Sequence, residues 1–261
     1  MLKFIKLGGS LITDKRIEKS FRADVMNRLG DEIAQVLDSD SSLRLAIGHG
    51  SGSFGHFAAK RFNTIAGVYN KESWNAFAEV SRVAAELNFL ICDSLAKSGV
   101  PAMRIQPSAS LLSRSGEVIS MLTSPIELAL QQQLVPVVYG DVSFDEVLGG
   151  TIISTEKLFF YLIRSFDVSE VILLGEVPGV YDSTGYVFPE INSSNLSYIE
   201  SALGGSGGVD VTGGMETKVR DMMKVAHDFP NMNIRIMTGL EPDLLRQTLL
   251  GLQSPGTRIA F

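Results

Sequence analysis

The chain has 261 residues, 45% hydrophobic and 20% charged, with a formal net charge of -6. That is an ordinary globular composition with enough apolar residues for a sizeable core, and without a basic block it argues against a nucleic-acid partner. A single cysteine, Cys92, excludes an intrachain disulfide, and no apolar run is long enough to cross a bilayer.

In chain order, strand-like apolar runs fall at Leu2–Leu7, Leu43–Ile47, Val135–Tyr139, Val168–Leu174 and Ile234–Met237. Amphipathic periodicity predicts helices over Ala23–Leu37, Lys71–Lys97, Pro125–Gln133, Lys157–Arg164, Gly214–His227 and Asp243–Gly251. Short hairpins are expected near Ser110–Ser120 and Tyr181–Phe188, and a mobile loop over Gly204–Gly214. Strands alternating with helices give an α/β fold, an open and mostly parallel sheet with helices on both faces. A composition change at Leu148-Gly-Gly150 divides it into an N-terminal lobe, 1–150, and a C-terminal lobe, 151–261, of one continuous fold. Lys3 and Lys6 interrupt the first apolar run, which is unlike a secretory leader, so the expected location is cytoplasmic.

The chemistry is concentrated in glycine turns that follow strands. His49-Gly-Ser-Gly-Ser-Phe-Gly-His56 comes directly after an apolar run, and its glycines leave backbone N–H groups open to a phosphate. His56 adds a donor that can carry charge near neutral pH. Gly50-x-Gly52-x-x-Gly55 also satisfies the dinucleotide pattern, but that fingerprint needs an acidic strand end about 20 residues on, and Asn70 to Leu90 has helical periodicity. Lys6-Leu-Gly-Gly-Ser10 ends the first strand with a cation beside a glycine loop, Lys15 follows closely, and Thr212-Gly-Gly-Met-Glu-Thr-Lys218 sets glycines and a lysine at a helix start. Taken singly, each lysine reads as a solvated surface charge; three beside glycine turns at carboxyl ends of strands suit a transferring phosphoryl group.

On these motifs, with Gln106-Pro-Ser108, Val135-Pro-Val-Val-Tyr-Gly-Asp141 and Val209-Asp-Val-Thr-Gly-Gly-Met215, the chain resembles the amino acid kinase family. Within that family the Ser-Phe-Gly-His56 element is similar to the branch acting on isopentenyl phosphate and to the related fosfomycin kinases. The resemblance implies ATP-dependent phosphorylation of isopentenyl phosphate to isopentenyl diphosphate, with dimethylallyl phosphate also accepted, in a homodimer that uses Mg²⁺. Lys6 and Lys218 would clamp the ATP phosphates, Lys15 would stabilise the transition state and His56 would bind the acceptor phosphate. Gly50, Gly52, Gly55 and Asp141 would complete the acceptor site, and Gly8, Gly9, Ser10, Ser51, Glu176, Gly179, Gly213 and Gly214 the nucleotide site. Trp74, Phe77 and Val80 would turn an apolar face to the short isoprenoid tail; the same stripe also fits core or a dimer interface.

The chain departs from the family pattern at three places. Gly50-Ser51-Gly52 stands where three glycines are usual, Ser154-Thr155-Glu156 where Ser-Gly-Asp is common, and Glu176 where aspartate is more usual. No dedicated metal-ligand set is expected, although Glu156 could serve a magnesium ion through water. A fosfomycin-type phosphonate kinase and a non-catalytic nucleotide or oxyanion binder are the alternative readings.

Overall fold

Strand β1 (Leu2–Leu7) is buried at every position because it lies in mid-sheet. Phe4 enters one hydrophobic core while Ile5 and Leu7 enter another, the two-residue period of a strand covered on both faces. The computed structural model describes residues 1–182, 184–199 and 214–261, with the side chains of His56, Phe57 and 60–62 outside that description.

The main sheet has eight strands in the order β10 (Glu190–Ile191), β12 (Thr257–Ile259), β11 (Asn233–Thr238), β9 (Glu170–Gly175), β1, β2 (Arg44–His49), β6 (Val135–Tyr139) and β3 (Ala102–Arg104). All pairings are parallel except that of β11 with β12. The chain winds outward from β1 in both directions, so the carboxyl ends of β1, β2, β6, β9 and β11 share one edge, where open α/β sheets bind ligands.

Helices cover both faces. On one side α2 (Ala23–Ser39), α4 (Lys71–Lys97) and α8 (Leu244–Leu249) bury Leu29, Ile33, Leu87, Ile91 and Leu245 with Ile5 and Leu7. On the other, α5 (Ser124–Gln131), α6 (Thr155–Ile163) and α7 (Gly214–Asp228) bury Ile126, Phe159, Leu162 and Met222 with Phe4. Each such side chain contributes about 1.5–3 kcal/mol. The long α4 starts at a reciprocal cap: Ser73 N–H donates to Asn70 Oδ1 at 2.8 Å and Asn70 N–H to Ser73 Oγ at 3.0 Å. Helix α5 stops two residues short of the expected Gln133, whose φ of +58° breaks the helical path.

Two short helices, α1 (Gly9–Ile12) and α3 (Gly52–Phe62), occupy stretches that the sequence reads as glycine loops. A smaller sheet, β5 (Glu117–Met121), β4 (Leu111–Arg114), β7 (Asp141–Asp145) and β8 (Gly149–Ile153), was foreshadowed only by its first hairpin. Residue 150 lies inside β8, which is paired along its length with β7. The smaller sheet therefore closes at Ile153, before α6 begins.

Candidate active site

At the shared carboxyl edge the two glycine turns touch. The chain leaves β1 through Gly8 and Gly9, and leaves β2 through Gly50 and Gly52. A Cβ on Gly9 would lie 2.8 Å from both Cα and N of Gly52, and one on Gly8 would lie 2.7 Å from the Leu174 carbonyl oxygen. No side chain fits there, and Gly52 is also held at φ +50°. Thr13 joins the two turns: its hydroxyl donates to the Gly9 carbonyl at 2.6 Å and accepts from Ser53 N–H at 2.9 Å. Ser53 Oγ accepts from Ser20 N–H at 3.0 Å, which fastens the segment carrying Lys15 to the start of α3.

These turns form one wall of a cavity of about 650 Å³. Gly8, Gly9, Ser10, Gly50, Ser51 and Gly52 line it together with Lys6, Lys15 and Lys218, which come from three separate parts of the chain. Helix α6 supplies Glu156, whose Oε1 is 2.8 Å from Lys6 Nζ. Burial alone would raise the Glu156 pKa, but Lys6, hydrogen-bonded to it, and Lys218 hold it below the ordinary value. A carboxylate flanked by two lysines is thus kept ionised, and the site holds more positive than negative charge where an anion would sit.

Behind the second glycine turn, His49 is fully buried. Its Nδ1 lies 3.0 Å from the Gly50 carbonyl and its Nε2 lies 3.1 Å from Asn88 Nδ2. The carbonyl can only accept and the amide NH₂ only donate, so the ring is neutral and protonated at Nδ1. Burial pushes its pKa down to about 4, against the hydrogen bond to Gly50. The His49 carbonyl in turn accepts from Thr155 Oγ1 at 2.5 Å and from Gly140 N–H at 3.2 Å.

Several residues expected at the site stand off the described cavity wall. Phe77 and Val80 are buried in a satellite core with Val68 and Val142. Trp74 packs edge-on to Phe77 at 5.2 Å, and both rings meet Phe144. These aromatics pack on one another, and the apolar residues on the wall include Ile65 and Ile152. Gly179 is small because it packs on Thr257 and Val187. Glu176 points to Arg22, with which it pairs at 2.8 Å. Gly55 faces back onto Ser51 within α3.

Asp141 lies beneath the cavity, accepting from Ser108 N–H at 3.1 Å and Val142 N–H at 2.8 Å, while its neighbour Gly140 forms part of the wall. Gly214 opens α7. The His56 side chain, Gly213 and the loop expected over Gly204–Gly214 up to residue 213 lie outside the described residues. Thr13, Thr155, Ile152 and Asp221 had no role in the sequence reading; for Thr155 the usable clue was its place at the start of α6, directly after β8, whereas Ile152 lies inside β8 of the smaller sheet.

Against known proteins, the profile of the Amino acid kinase family matches residues 1–238. The chain belongs to the amino acid kinase family. Among family members, it is 34% identical over 266 residues to the isopentenyl phosphate kinase of Methanothermobacter thermautotrophicus, covering 98% of this chain and 97% of that one. It is 33% identical over 232 residues to the isopentenyl phosphate kinase of Methanocaldococcus jannaschii, covering 86% and 87%. A solved isopentenyl phosphate kinase structure superposes with a TM-score of 0.83 at 29% identity, covering 100% of both chains. The mostly parallel α/β architecture is the fold of this family.

Proposed function

We propose that the chain transfers the γ-phosphoryl group of ATP to isopentenyl phosphate, giving isopentenyl diphosphate and ADP, with dimethylallyl phosphate as a second acceptor. The observation that carries this reading is the convergence of Lys6, Lys15 and Lys218 on one cavity walled by two touching glycine turns, in a chain that is 33% and 34% identical to isopentenyl phosphate kinases.

The chemistry asks for little else. A phosphate monoester has a second pKa near 6, so at neutral pH the acceptor already offers a nucleophilic oxygen. That oxygen bonds to the γ-phosphorus as the bond to the β,γ-bridging oxygen breaks, and the electron pair leaves on ADP. The obstacle is bringing two anions together, so rate comes from positioning and charge neutralisation. Lys15 and the Gly50–Gly52 turn belong to the acceptor half, and Lys218 to the nucleotide half. Lys6 and Glu156 stand between them, and His56 is assigned to the acceptor phosphate. Mg²⁺ would ride on the nucleotide phosphates near the Glu156 and Asp221 carboxylates, neutralising charge; this oxygen donor set suits a hard cation that keeps its waters.

Ile65 and Ile152 would face the isoprenoid tail, with Phe77 and Val80 backing Ile152 from the satellite core. A cytoplasmic homodimer is the proposed setting, on the family resemblance; no described helix is long and apolar enough to cross a membrane.

The test is a panel of isopentenyl phosphate, dimethylallyl phosphate, fosfomycin, UMP, glutamate and acetylglutamate with Mg-ATP, following ADP and phosphorylated product. Isopentenyl phosphate should give the highest kcat/KM. Preference for fosfomycin would replace this reading with a phosphonate kinase, and ATP turnover with none of them would leave a binding protein. Light scattering of the same preparation tests the dimer.

A further inference from the structure

A hydrogen-bonded chain leads inward from the surface behind the acceptor side of the cavity and has no part in the chemistry above. Arg104, on the edge strand β3, donates from Nε to Asn88 Oδ1 at 3.1 Å. That bond turns the amide so that Asn88 Nδ2 meets His49 Nε2 at 3.1 Å, and His49 Nδ1 meets the Gly50 carbonyl at 3.0 Å. Asn88 and His49 are both fully buried, and the His49 ring stacks on Tyr139 with centroids 5.5 Å apart and planes within 11°. Asn88 sits on the face of α4 that otherwise buries Ala84, Leu87, Ile91 and Leu95. An apolar pair would fill this space at less desolvation cost, so the polar groups call for a purpose other than packing.

The end of the chain indicates that purpose. Gly50 lines the cavity and has no side chain to hold its orientation. A peptide unit is planar and trans, so fixing the Gly50 carbonyl on the buried side turns the Ser51 N–H to the opposite side, where the cavity lies. Ser51 itself lines the cavity.

We propose that His49 is a positioning residue for phosphoryl transfer, its Nδ1–H fixing the Gly50–Ser51 peptide so that the Ser51 N–H faces the phosphate, with Asn88 and Arg104 selecting the tautomer that can do this. The inference rests on the kinase reading given above. The low His49 pKa agrees with it, since a ring that stays neutral at physiological pH keeps one tautomer and one hydrogen-bond direction.

The experiment compares His49→Asn, His49→Gln and His49→Phe. Asparagine places an amide NH₂ where Nδ1 stands and keeps the donor to Gly50; glutamine reaches the Nε2 position and loses it; phenylalanine keeps the ring and its stacking without any donor. With Mg-ATP and whichever panel acceptor the wild type uses best, His49→Asn should stay within about threefold of wild-type kcat. The other two should fall about 10- to 100-fold, the scale of a small misplacement of a reacting group. Equal rates for the asparagine and phenylalanine variants, whether high or low, would overturn the proposal.

Because the ranking uses any accepted acceptor, a wrong acceptor assignment leaves it intact. A readout independent of turnover is the imidazole ¹⁵N spectrum of the ligand-free protein at pH 7, with His49 assigned by the resonance missing in His49→Asn. The neutral Nδ1–H pattern is expected. A neutral Nε2–H or doubly protonated ring would overturn the proposal even if every phenylalanine preparation failed to fold.

Discussion

Lys6 Nζ and Glu156 Oε1 stand 2.8 Å apart at the cavity wall, a strand-end cation held by a carboxylate from the first turn of α6. The pair keeps Lys6 aimed across the mouth of β1 rather than out to solvent, and Lys218 acts on the same carboxylate from α7. Replacing Glu156 by Gln removes the charge and keeps the shape. The expected result is a fall in kcat of about tenfold with KM for ATP no higher, because the lysines lose their alignment while the site becomes more attractive to an anion. Steady-state kinetics with varied ATP checks this; an unchanged kcat would remove Glu156 from the positioning of Lys6.

The contact between the glycine turns gives a second expectation. Gly9→Ala would drive a methyl group into the backbone of Gly52, since its Cβ would come within 2.8 Å of two main-chain atoms there. Phosphoryl transfer should fall by about 10²-fold or more as the turns separate, while circular dichroism stays that of the wild type. Gly99→Ala is the control for glycine loss as such: it has φ +91° but open space around it, so it should cost stability and leave kcat alone.

His49 should leave a mark on the pH dependence of stability. Its folded pKa of about 4 lies below the ordinary 6.5, so between those values the unfolded chain binds a proton that the folded one refuses. Stability from this site is complete above about pH 6.5, declines as pH falls and is gone near pH 4, at up to about 1.4 kcal/mol per pH unit. Urea titrations at pH 7.0, 6.0 and 5.0 should show the decline in wild type and a shallower one in His49→Asn. Parallel curves would contradict it.

Asp145 is the stability counterpart at the smaller sheet. Its carboxylate accepts from Ser115, Val147 and Leu148 N–H through Oδ1, and from Gly116 N–H and the Ser113 hydroxyl through Oδ2, all between 2.8 and 3.0 Å. Burial alone would raise its pKa, but these donors hold it well below the carboxylate range. Asp145→Asn turns an NH₂ against donors, and the expected loss is about 2–4 kcal/mol in urea unfolding at pH 7. The loss should shrink in acid, because a depressed carboxylate contributes above its unfolded pKa and ceases to as pH drops through the folded value.

For the acceptor tail, the apolar wall residue Ile152 is the lever. Ile152→Ala should shift the kcat/KM ranking toward longer prenyl phosphates and weaken use of the five-carbon acceptor, at about 0.8 kcal/mol per lost CH₂ contact. A smaller shift is expected for Phe77→Leu, which acts from behind through the satellite core. An unchanged ranking in both would place the tail elsewhere.

Much of this protein was legible before any coordinates. The runs Leu2–Leu7, Val135–Tyr139 and Lys71–Lys97 carry their periodicity and breakers locally, and the structure keeps those boundaries unchanged. The lysines and glycine turns were legible too, because strand ends in an open parallel sheet converge on one edge. The aromatic residues were not: Trp74 and Phe77 have the spacing of a helix face whether that face meets a ligand or another ring. Their contacts with Phe144, from β7, come from the tertiary structure alone.

The sequence by itself determined the α/β class, where the glycine turns fall and the cations available to a phosphate, since each depends on neighbours a few residues apart. The tertiary structure alone decided that Glu156 meets Lys6, that Gly9 touches Gly52 and that Asn88 reaches His49. These partners lie far apart along the chain, and neither residue of a pair has a local pattern that names the other. Their meeting is set by the order in which strands enter the sheet and by the side of it on which each helix returns.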